Sequence, residues 1–252
     1  MLNQVDGLFW LLLGLAVLVF LQRSLHREIQ AVFLILTRRP TVTQVLFALI
    51  FFPGVLLHEL SHFLAAKLLG VRTGRFSLIP YAMPDGRLQL GAVETVSGGV
   101  VRDAMIGVAP LVSGCLFVVY MAIYRMQLLP LWDFLRAGDW DIFWVGVGIL
   151  PRLPDFWLWF YLTFTISSTM LPSASDRHAW LPLGLIVAAL LGVAFLAGAG
   201  SWMLLNLAPP FNIFLRALAL IFALSAGLHA VLILPFLLLH RALAKLTGVD
   251  VG

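Results

Sequence analysis

Long apolar runs alternate with short polar breaks along this chain, and the runs have the length that crosses a bilayer. Charges, prolines and glycines mark them off at about Gly7–Leu21, Val42–Leu69, Ala104–Tyr124, Phe156–Leu171, Ala179–Leu207 and Ala217–Leu239. The pattern predicts an α-helical polytopic membrane protein with about six transmembrane helices. The first run is short unless its helix continues through RSLHREIQAVFLILTRR. That stretch carries Arg23, Arg27, Arg38 and Arg39 and suits an interfacial helix equally. The half-length run IFWVGVGIL offers an upstream extension of the fourth.

Two stretches break the pattern. VRTGRFSLIPYAMPDGRLQLGAVETVSGG, after the second run, is polar enough to leave lipid and is split by the turn signal Pro84-Asp85-Gly86. Leu88, Leu90, Ala92 and Val96 alternate with Gln89, Gly91, Val93 and Thr95, a rough period of two. This predicts a small β-hairpin, with an irregular surface loop as the alternative. The segment Gln127 to Pro154 is rich in Trp and Pro, and reads as an interfacial loop with short embedded pieces, because Trp favours the headgroup level. It is too short for an inserted folded domain. With no repeat and no low-complexity tract, residues 1–252 read as a single integral membrane domain.

Composition sharpens the class. The chain is 62% hydrophobic and only 11% charged, too little charged surface for a soluble domain of 252 residues. Its net charge of +4 is spread thinly, as flanking charges of membrane helices are, and does not form a nucleic-acid patch. The lone Cys115 excludes an intramolecular disulfide. The first residues lack the basic region of a cleaved signal peptide, so the first run reads as retained. Under a six-span topology the Lys and Arg residues divide evenly between the two faces, and the positive-inside rule assigns no orientation. Compactness and the lack of a sorting signal lead to the expectation of a prokaryotic plasma membrane.

The second run contains the chemistry. In FFPGVLLHELSHFLAAKLLG, His58, Glu59 and His62 sit among Leu, Phe and Ala, in a chain with three Glu and six His in all. Residues four apart share one helix face, so His58 and His62 aim their imidazoles at one point, with Glu59 about 100° round the axis. This is the H-E-x-x-H arrangement: two neutral His ligands for zinc and a Glu that takes a proton from the attacking water. A carboxylate at membrane depth costs about 2–3 kcal/mol or more unless it faces a polar or metal-filled cavity, which weighs against an idle polar patch.

Catalytic zinc has three protein ligands as a rule. Candidates for the third are Asp176, His178, His229, Glu94 and Asp155. Asp176 closes the fourth run in TMLPSASDRHAW, where Pro172 breaks the helix and small residues allow close approach. His229, deep in the sixth run, is the rival by depth, although a core His bonded to a neighbouring helix is its commoner fate. His178 reads as an interfacial neighbour of Asp176. His26 and His240, among arginines at run ends, read as headgroup-level side chains.

Three elements, in this order, resemble the site-2 protease family of intramembrane zinc metalloproteases: HELSH in a hydrophobic helix, GVAPLVSG at 107–114, and TMLPSASD. The last two are similar to the family's G-P-x-x-N and N-x-x-P-x-x-x-D-G stretches. The resemblance covers roughly Pro53 to His178, within a protease-like core at about 42–178, and leaves extra helices at 7–39 and 179–245 outside it. It implies His58, His62 and Asp176 as ligands of one zinc ion and Glu59 as the base. It assigns substrate handling to Thr169, Ser113 and Glu94, and it implies that the hairpin pairs with an unwound substrate by strand addition. Thr169 stands where the family has Asn, Arg177 where it has Gly, Ala109 where it has the Gly of Gly-Pro, and Ser113 where it has Asn.

The expectation is a zinc-dependent intramembrane endopeptidase acting on transmembrane or membrane-bound proteins within a lipid bilayer. A metal-binding scaffold or regulator without proteolytic activity is the alternative from another class, motivated by Thr169 and Arg177. A transporter would show two related halves with paired broken helices, which the chain lacks.

Overall fold

The computed structural model describes residues 6–78, 81–82 and 88–249. Its helices are α1 (Gly7–Thr37), α2 (Pro40–Leu68), α3 (Val100–Tyr120), α4 (Leu128–Ala137), α5 (Trp140–Ile149), α6 (Phe156–Thr169), α7 (Trp180–Ala194), α8 (Gly200–Asn206) and α9 (Ala208–Thr247). A π-helical turn, Met121–Arg125, prolongs α3, and a second one, Phe195–Ala199, joins α7 to α8 with a kink at Gly198 (φ 91°). Among the described residues five helical stretches are long and apolar enough to cross a membrane: Gly7–Thr37, Pro40–Leu68, Val100–Arg125, Trp180–Asn206 and Ala208–Thr247. The protein is a helical multi-pass membrane protein.

The first apolar run and its basic continuation form one helix, because the chain turns only where Arg38 adopts a left-handed conformation and Pro40 opens the next helix. Arg23 and Arg27 stay exposed on α1, while Leu25, Glu28 and Ile29 face inward. The buried Glu28 carboxylate pairs with His240 Nδ1 at 2.7 Å, which ties α9 to α1. His26 packs its ring edge-on against Phe47 and Phe51. The fourth run yields a helix of only 14 residues, about 21 Å long by its rise per residue. The upstream IFWVGVGIL lies in the separate α5, cut off from α6 by a 3₁₀ turn, Leu150–Arg152, and Pro154. The Trp- and Pro-rich segment thus contains two ten-residue helices with no buried residue.

Among the described residues four short strands follow α2: β1 (Thr73–Ser77), β2 (Tyr81–Ala82), β3 (Leu88–Gln89) and β4 (Ala92–Thr95). β1 pairs with β4 and β2 with β3, both antiparallel, as two legs of one hairpin require. Pro84-Asp85-Gly86 lies outside the described residues.

Helix directions follow from the neighbours along each pair. Gly7 N–H donates to Asn212 Oδ1, Gly14 lies against Ala219, and Glu28 meets His240, so α1 and α9 run parallel. Thr37 meets Thr43, and His26 meets Phe47 and Phe51, so α2 is antiparallel to α1. Ile50, Gly54 and His58 meet Tyr161, Thr165 and Thr169, so α6 runs parallel to α2. α6 therefore ends toward the face on which α1 and α9 begin, and the apolar stretch from α7 to α8 starts and finishes on that face. A cysteine at Asn206, in a C115A background, is accordingly expected to react with a membrane-impermeant maleimide from the same side as one at Arg72. A cysteine at Gly138 is expected to react from the opposite side; Asn206→Cys labelling together with Gly138→Cys would refute this arrangement.

Candidate metal centre

Close helix contacts set the site. Gly54, one turn before His58, faces α6 so tightly that a Cβ there would overlap the Thr165 carbonyl and the Thr169 hydroxyl. This contact brings the end of α6 against His58. Pro172 then ends α6 and, lacking an N–H, leaves the Ser168 carbonyl without its helical donor. The chain turns back through residues 170–179 and lays the Asp176 carbonyl on Gly107 of α3, where any side chain would collide with it.

Asp176 thereby reaches the two histidines of α2. Its Oδ1 is 3.1 Å from His62 Nε2, its Oδ2 is 3.7 Å from His58 Nε2, and the two Nε2 atoms are 3.2 Å apart. A tetrahedral zinc with bonds of about 2.0–2.1 Å holds its ligand atoms about 3.3 Å apart, so this donor set fits one ion. The second set of contacts agrees. His58 Nδ1 lies 2.7 Å from the Thr169 carbonyl and His62 Nδ1 lies 2.9 Å from the Ile106 carbonyl. A backbone acceptor at each Nδ1–H leaves each Nε2 as a bare lone pair aimed at the common point. Ser173 N–H donates to Asp176 Oδ2 at 2.6 Å and fixes the carboxylate. An anionic carboxylate and two imidazoles suit a divalent cation, and the partial negative charge at the end of α6 favours one further.

His58, His62 and Asp176 also line one wall of a cleft of about 840 Å³. Glu59, only 8% exposed, lines the same cleft. It packs against Gly91, where a Cβ would strike its side chain. β4 lines the cleft too, paired with β1 in a two-stranded sheet.

The remaining predicted residues are placed as follows. Thr169 lines the cleft, but its hydroxyl donates to the Thr165 and Ile166 carbonyls of its own helix, and its backbone carbonyl is what serves His58. Ser113 bonds Ser61 at 2.6 Å and the Pro110 carbonyl, bracing α2 against α3. Glu94 lines the cleft from β4 and accepts from Arg75 N–H. His178 bonds the Ser175 carbonyl and faces Asp103 at 3.8 Å. Asp155 precedes α6 at the end far from Thr169, without a side-chain capping hydrogen bond. His229 is fully buried and bonded to Ser168 Oγ and the Ser225 carbonyl. Among the described residues only His58, His62 and Asp176 form a group of metal-binding side chains, with ligand atoms within 4.8 Å of one another. Ser168 and the Ile106 carbonyl have no counterpart in the sequence reading, since neither a serine in an apolar run nor a backbone oxygen carries a motif.

Comparison with protein-family models, with curated proteins and with solved structures finds no match to this chain.

Proposed function

We propose that this protein is a zinc-dependent intramembrane endopeptidase that hydrolyses peptide bonds of transmembrane or membrane-bound protein substrates. The observation that carries the reading is the convergence of two Nε2 atoms and a carboxylate beside a buried glutamate, inside an apolar helix and on the wall of a cleft. Zinc bound by His58, His62 and Asp176 would polarise the scissile carbonyl and acidify water to near neutral pH. Glu59 accepts the proton of the attacking water and returns it to the leaving amine. Its burial keeps bulk water from competing for that proton. β4 holds the substrate in an extended form by strand addition, because a helix shields its carbonyls from attack.

One set of contacts favours a second reading, a metal-binding scaffold or regulator without proteolysis. The Thr169 hydroxyl is turned back into α6 and Ser113 is engaged with Ser61, so neither side chain is offered to a substrate. Bound zinc and cleavage of a transmembrane-helix substrate, measured on one purified sample before and after chelation, separate the two. About one zinc per chain, with cleavage lost on chelation and regained with zinc, is the expected result. Zinc at that level without cleavage favours the scaffold, and no zinc at all overturns both.

A further inference from the structure

We propose that Gln22 of α1 and His229 of α9, both outside the protease-like core, are positioning residues of the metal centre, acting through the end of α6. Pro172 leaves the Ser168 carbonyl without a helical donor, and Gln22 Nε2 supplies one at 2.6 Å. His229 grips the same residue from another direction. Its Nδ1 lies 2.7 Å from the Ser225 carbonyl and so carries the proton, which leaves Nε2 to accept from Ser168 Oγ at 2.9 Å. His229 is fully buried, as is Ser225, and its ring packs edge-on against Phe164, so it has no freedom to drift. The next residue after Ser168 is Thr169, whose carbonyl lies 2.7 Å from His58 Nδ1 and sets the direction of the His58 lone pair. Two flanking helices thus clamp Ser168, the residue directly before the one whose carbonyl aims a proposed ligand. Both bond to Ser168, and neither is hydrogen-bonded to the trio itself.

The inference rests on the metal reading above, and its test separates the two. Apparent zinc affinity, by chelator competition, and the d–d spectrum of the Co²⁺-loaded protein are measured in bilayer nanodiscs for wild type, Gln22→Met, His229→Leu and His229→Gln. Thermal unfolding of each metal-free variant is recorded alongside. Groups bonded directly to a metal ligand are worth about 10–100-fold in metal affinity, and Gln22 and His229 stand one step further out. Gln22→Met and His229→Leu are expected to lose up to about the low end of that range, ~10-fold, and to perturb the Co²⁺ bands. His229→Gln, whose amide oxygen can accept from Ser168, is expected to recover most of the loss. Gln22→Met preserves volume at a half-buried position, so it keeps the test open if His229→Leu fails to fold. Zinc-binding wild type with unchanged affinity and Co²⁺ bands in Gln22→Met and His229→Gln, and in His229→Leu where it folds, overturns this proposal alone. The same holds for variants that lose only thermal stability. Wild type that binds no zinc overturns the metal reading and this proposal with it.

Discussion

Glu59→Gln is expected to keep its zinc and to lose cleavage by at least about 10²–10⁴-fold, the range that general acid–base catalysis supplies. Gln has the size and shape of Glu, so packing against Gly91 survives and no cavity opens at a position that is 8% exposed. Glu59 is not one of the three groups whose atoms converge, so removing its charge spares the donor set. What disappears is the only function that needs a carboxylate there, taking a proton and giving it back. Equal cleavage by Glu59→Gln and wild type, each with about one zinc per chain, would sink the catalytic role.

Asp176→Ala is the second large effect. It removes the anionic member of the donor set, which lies 3.1 Å from His62 Nε2, and leaves two imidazoles on one helix. Losing outer contacts alone costs about 10–100-fold in affinity, so losing a direct ligand is expected to exceed 100-fold. The variant also deprives Ser173 N–H of its acceptor, which loosens the turn after α6. Asp176→Asn separates the two effects: its amide oxygen can still accept from Ser173, but it carries no charge. Zinc affinity should fall in both variants, with the turn preserved in the Asn variant as judged by unfolding temperature. Unchanged affinity in Asp176→Ala would refute the third-ligand role and turn attention to cleft groups such as Glu94 or Asp103.

Much of the architecture was legible because membrane helices announce themselves. Lipid demands that backbone groups be satisfied within the segment, so length and apolarity alone mark helices. Local geometry was equally legible: four-residue spacing puts His58 and His62 on one face of α2 whatever surrounds it. Pro172 marks the end of α6 through its missing N–H. What failed to show was anything depending on which helix lies beside which. Nothing in the sequence says that α9 runs parallel to α1, that Glu28 and His240 meet between them, or that the hydroxyl of Thr169 folds back on its own helix.

By itself, then, the sequence determined a helical membrane protein, a pair of imidazoles with a carboxylate beside them, and a break in the fourth run followed by an aspartate. These are properties of composition and of spacings shorter than about two turns. Only the tertiary structure decided that Asp176, more than a hundred residues from His62, completes the trio while His229 and His178 do not. Gly54 and Gly107 decided it, by letting α6 and its following turn approach α2 and α3 closer than any side chain permits. A ligand set is a statement about distances across helices, and such distances are fixed by packing, which no short stretch of sequence contains.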